Sequence, residues 1–101
     1  MPYVIIANDK PSSVALRNAV RPVHLEYMTA NLSKILGAFA QVDDANSTVH
    51  GGVIVYDSED RGEVEDFVAN DPFTKAGLFE SVAMSSCRKA LFNYERLLRT
   101  A

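Results

Sequence analysis

The residue best suited to proton transfer is His24, in Arg21-Pro22-Val23-His24-Leu25-Glu26-Tyr27-Met28. Imidazole titrates near neutral pH, so it can serve there as acid or base. A carboxylate bonded to one ring nitrogen would fix that nitrogen as donor and leave the other to take a proton. The candidate carboxylate is Asp71, far along the chain in Asn70-Asp71-Pro72-Phe73. Each residue also has a plainer reading. His24 could be a core histidine bonded to a backbone carbonyl, and Asp71 a turn-forming residue ahead of a proline.

Three further residues are candidates for contacting a ligand. Arg21 could meet an anion, or pair structurally with an acid. Tyr27 could reach the same ligand, though like Tyr3, Tyr56 and Phe79 it reads more simply as a core or rim residue. His50 is the second titratable imidazole, on a strand where it could equally be solvated. No nucleophile stands out, which disfavours covalent catalysis. Cys87 has no neighbouring histidine or helix start to activate it and reads as inert. The acidic run Asp57, Glu59, Asp60, Glu63, Glu65 and Asp66 reads as a solvated helix face, because a hard-metal loop needs converging carboxylates and a tight glycine turn. No metal and no cofactor is expected.

The elements that must position these groups follow from pattern. Tyr3 to Asn8 is short, aromatic and β-branched, a buried strand. Ser12 or Ser13 can cap a helix, and Val14 to Val20 has helical spacing. Pro22 cannot donate an interior amide but suits a first turn. The reading is therefore a break near Arg21, with the main helix from Pro22 to about Lys34. Leu25, Met28, Leu32 and Ile35 would form its core stripe. His24 would then face the positive end of the helix dipole beside Arg21, a setting that suits a neutral general base.

Leu36 to Gln41 reads as a second strand and Val42 to Ser47 as a polar loop. Thr48 to Tyr56 is a third strand, with Gly51 and Gly52 marking a bulge or a close backbone approach. Ser58-Glu59-Asp60 opens a second helix that buries Val64, Phe67 and Val68 and stops by Asn70, ahead of Pro72. Asp71 would sit at its C-terminal end, where the dipole disfavours a carboxylate. Gly77 precedes a fourth strand, Leu78 to Met84. Leu91, Tyr94, Leu97 and Leu98 have helical spacing, so a terminal helix is expected over about 88–101.

The order β-α-β-β-α-β makes a ferredoxin-like α+β sandwich: a four-stranded antiparallel sheet with both helices on one face. Apolar residues fall on both strand faces, Leu78, Val82 and Met84 against Phe79 and Ala83. A homodimer with sheets packed face to face would cover the open side.

Size and composition bound the rest. The chain has 101 residues, 48% hydrophobic and 23% charged, which suits one domain with one core. A net charge of -3 argues against a nucleic-acid surface, and His50 to Tyr56 lacks the basic aromatic pattern of RNA-binding strands. No apolar run approaches the ~20 residues of a membrane span. One cysteine excludes an intrachain disulfide. With no basic leader at Met1 to Ile6, a cytoplasmic setting is expected.

Three segments together carry a resemblance: Tyr3 to Asp9, Arg21 to Leu25, and Asp71-Pro72-Phe73-Thr74-Lys75-Ala76-Gly77-Leu78-Phe79. In this combination the chain resembles the YCII (YciI-like) family from Met1 to about Phe92. The resemblance implies a ferredoxin-like fold assembled as a dimeric α/β barrel. It also implies a His/Asp centre, carried here by His24 and Asp71. Some relatives remove chloride from chlorinated aromatic breakdown products, and the wider superfamily includes muconolactone isomerases and haem-handling enzymes.

The leading reading is a small enzyme moving protons on a small organic molecule, by elimination such as dehydrochlorination, isomerisation or hydrolysis. His24 would be the base or acid and Asp71 its orienter. The alternatives are a non-catalytic dimeric module that binds a metabolite or protein, and haem binding through His24.

Overall fold

The computed structural model describes residues 1–96. Its centre is β1 (Tyr3–Asp9), whose aromatic and β-branched residues suit a pleated, buried surface. Around it are α1 (Val14–Ala30), a 3-10 turn (Leu32–Lys34), β2 (Ile35–Val42), β3 (Val49–Tyr56), α2 (Arg61–Asn70), α3 (Pro72–Lys75) and β4 (Phe79–Ser86). The four strands form one sheet in the order β2-β3-β1-β4, every neighbouring pair antiparallel. This is the ferredoxin-like α+β sandwich.

Residues directly opposite one another across a sheet share a face. The row Ala38, Ile54, Ile5, Met84 faces the helices. There Ile5 and Tyr56 pack with Val64 and Phe67 of α2 and with Tyr27 and Met28 of α1. The opposite face carries the row Phe39, Val53, Ile6, Ala83 across all four strands. Phe39 is 66% exposed and Ile6 37% exposed on that face. A Cβ at Gly51 would run into the Ala7 carbonyl oxygen, so this position requires glycine. The space lets Gln41 Nε2 cross and donate to that oxygen at 3.0 Å.

Several expected boundaries move. α1 runs unbroken through Pro22, where a break near Arg21 was expected. An interior proline removes one amide bond and costs about 3 kcal/mol. Side chains on both sides of it are anchored, Arg17 to Asp9 and Tyr27 to the Phe67 carbonyl, and this packing offsets the loss. Because α1 begins at Val14, His24 lies in mid-helix and not beside a positive helix end. Ser13 precedes the helix without a side-chain cap bond. Of the expected core stripe, Met28 and Ile35 pack on the core. Leu25 and Leu32 stay 43% and 66% exposed, because Leu32 belongs to the 3-10 turn and Leu25 looks into a cavity.

The terminal helix is also corrected. Leu91–Phe92 (β5) pairs with Glu95–Arg96 (β6) as a hairpin. Asn93 and Tyr94 have φ of 52° and 64°, the left-handed pair that a tight two-residue hairpin turn demands. Leu97 and Leu98 lie outside the described residues.

Candidate functional site

Arg17, Arg21 and His24 recur at intervals of four and three on α1, so they share one face of the helix. That face looks onto a cavity of about 310 Å³ between α1 and the sheet. The space has a sequence cause. The row Ala40, Gly52, Ala7, Val82 runs across all four strands beneath it, and three of those four residues are among the smallest available. The lining is apolar apart from Arg17, Arg21, His24 and Asp71. Its volume is at the small end for ligand pockets.

Asp71 is placed by its neighbour. Pro72 disfavours a helical conformation before it, and Asp71 is extended with φ -63° and ψ 128°. It closes α2 and simultaneously caps α3, its Oδ1 accepting the Phe73 amide at 2.9 Å. The C-terminal placement expected from sequence is therefore half of its setting. The same Oδ1 meets His24 Nδ1 at 2.8 Å. Asp71 is 3% exposed, and an ionised carboxylate only accepts. Nδ1 is thus the donor, and the neutral ring keeps its lone pair on Nε2.

The imidazole is also held through its face. Phe73, fully buried, stacks on it at 4.0 Å with an 18° interplanar angle. Arg17 lies over the same phenyl ring at 4.6 Å and is fixed by Asp9, Nε to Oδ2 at 2.7 Å and Nη2 to Oδ1 at 3.0 Å.

The structure therefore brings together His24, Asp71 and Arg21 around one cavity and leaves two expected contacts elsewhere. Tyr27 is not in the lining. Its hydroxyl donates to the Phe67 carbonyl at 2.7 Å and its ring stacks on Phe67. Burial pushes its hydroxyl above the ordinary tyrosine range, and the Asp71 carboxylate adds to this. His50 is exposed and borders a separate depression with Lys10, Ser12 and Thr48. Sequence reasoning gave no role to Arg17, Asp9 or Phe73. The signal for Arg17 was its seven-residue spacing from His24, hidden once α1 was divided at Pro22. No cluster of three metal-ligating side chains occurs among the described residues, nor is any helix there long and apolar enough to cross a membrane.

Residues 1–88 match the model of the YCII-related domain. The chain belongs to this family. An uncharacterised protein of Haemophilus influenzae is 29% identical over 96 residues, 88% of this chain and 98% of that protein. The 5-chloro-2-hydroxyhydroquinone dehydrochlorinase TftG of Burkholderia phenoliruptrix, solved with 2,5-dihydroxybenzoquinone, superposes with a TM-score of 0.82 at 30% identity, over 87% of this chain and 94% of that one. An antibiotic biosynthesis monooxygenase structure shares the fold at a TM-score of 0.52 and 18% identity, over 87% of this chain and 99% of that one.

Proposed function

We propose that this YCII-domain protein is an acid/base enzyme acting on a small hydroxylated ring or quinone-type compound, with elimination of hydrogen chloride as the leading reaction. The observation that carries the reading is the 2.8 Å bond between His24 and Asp71 at the wall of a cavity. Asp71 holds Nδ1–H, so His24 Nε2 accepts the proton that the substrate loses. In the keto tautomer of the ring the chlorine-bearing carbon is tetrahedral. The electron pair left on the enol oxygen forms a carbonyl, the adjacent double bond shifts onto that carbon, and the carbon–chlorine bond breaks as chloride departs. No oxidant or reductant is consumed. Imidazolium stabilisation by Asp71 lowers the barrier to this transfer, and Arg21, which makes no ion pair among the described residues, meets a phenolate or enolate oxygen. The choice of a ring compound is supported by the dihydroxybenzoquinone bound to TftG. The small, mostly apolar cavity suits such a ring.

The protein works as a homodimer joined through the open sheet face, a reading supported by the apolar row Phe39, Val53, Ile6, Ala83.

The test is chloride release from chlorinated hydroxyhydroquinones by wild type and His24→Gln. A positioned acid/base group contributes about 10²- to 10⁴-fold, so kcat is expected to fall by that factor. Undiminished turnover in His24→Gln would remove His24 from the chemistry.

A further inference from the structure

The His24–Asp71 bond fixes one ring atom, and that is not enough to aim Nε2. The second side-chain torsion of histidine is broad, so the ring can tilt about a bond held at Nδ1. The tilt is opposed by the face-on contact with Phe73 at 4.0 Å and 18°. Phe73 is itself over-determined. Its amide is held by Asp71 Oδ1, Phe79 meets its ring in an edge contact at 6.0 Å and 76°, and the Arg17 guanidinium lies over it at 4.6 Å. Arg17 and His24 stand two helical turns apart on α1, and the phenyl ring fits between the side chains they project.

Arg17 is not a free cation. Two of its nitrogens are taken by Asp9, and the side chains of the pair are 12% and 6% exposed. A planar guanidinium bonded in this way keeps its orientation. It presents a fixed flat surface to the ring, a contact that strengthens with loss of solvent.

We propose that Asp9, Arg17 and Phe73 are positioning residues that act through one another to hold the His24 ring for proton transfer. The proposal rests on the acid/base reading of the cavity. It assigns Arg17 to the support of His24 and not to ligand binding. Asp9 fixes the guanidinium, the guanidinium seats Phe73, and Phe73 keeps Nε2 aimed into the cavity.

The experiment is nitrogen-15 NMR of the full chain labelled at histidine. The sequence has two histidines, and His24→Gln assigns the signals. The variants are Arg17→Lys, Phe73→Leu and the double variant Asp9→Asn with Arg17→Met, which leaves no unpaired buried charge. In wild type, His24 is expected as a single Nδ1–H tautomer. In the double variant and in Phe73→Leu, with the fold intact by circular dichroism, the Asp71 bond keeps the Nδ1–H tautomer while the ring signals are expected to shift and broaden as the ring tilts. Where turnover is measurable, kcat falls about tenfold to a hundredfold at unchanged KM, the scale of a misplaced reacting group. Arg17→Lys restores part of both. His24 signals identical to wild type in every folded variant would overturn the proposal. So would a raised KM with unchanged His24 signals, which would make Arg17 a ligand contact. The NMR result stands without turnover, so failure of the acid/base reading and failure of this proposal are separable. If the double variant does not fold, Phe73→Leu alone decides.

Discussion

At the scale of single residues, the site turns on one oxygen. Asp71 Oδ1 accepts from His24 and from the Phe73 amide, so one atom both orients the imidazole and starts α3. The two roles separate by substitution. Asn caps a helix about as well as Asp, so Asp71→Asn is expected to change the unfolding free energy by about 1 kcal/mol or less. The charge facing His24 is lost, and kcat is expected to fall at least about 10²-fold. Asp71→Ala loses the cap as well, which costs about 1 kcal/mol more and leaves a buried amide unpaired. Urea unfolding and initial rates on the same preparations check both. Residue types alone left His24 and Asp71 open to plainer structural readings, and their pairing was legible only through the resemblance to the YCII family. The doubled role of Asp71 was not legible, because it needs two helices to meet at one residue.

At the scale of elements, α1 is the lesson. Pro22 is a sound local stop signal, and it misplaced both the start of the helix and the electrostatic setting of His24. Tertiary anchoring at Arg17, His24 and Tyr27 carries the helix through it. The packing of α1 on α2 and the sheet has its own pH signature. Burial raises the Tyr27 and Tyr56 hydroxyls above 10.0, with the Asp71 and Glu63 carboxylates adding to them respectively. Above that pH the unfolded chain releases these protons while the folded chain keeps them, so the folded state binds more protons. Stability is then fully present below about pH 10.0 and is lost as pH rises through the folded values. Thermal melts from pH 9 to 11 are expected to show this decline, and Tyr27→Phe to flatten it. A melting temperature independent of pH in that range would contradict the packing. The terminal hairpin was missed because the spacing of Leu91 and Tyr94 imitates a helix over a span too short to separate the two periods.

At the scale of the molecule, the order of elements was enough to give the sandwich, since two split βαβ units have few un-knotted arrangements. The cavity was not legible. Ala7, Ala40 and Gly52 are far apart in sequence, and only the strand register places them in one row. The open face was anticipated from apolar residues on both sides of the strands, and the register now names its central row. If that row joins two copies, sedimentation is expected to give twice the chain mass for wild type and the chain mass for Phe39→Glu, with the fold retained. A monomeric wild type at micromolar concentration would remove the dimer.

The central claim is that His24, and not the second histidine, faces the ligand. Its most direct test is to titrate 2,5-dihydroxybenzoquinone into histidine-labelled protein and follow both imidazoles by NMR. The expected result is a saturable shift of the His24 signals with His50 unmoved, abolished in Asp71→Ala or greatly weakened there. A saturable shift confined to His50, or binding that leaves His24 unchanged, would contradict it.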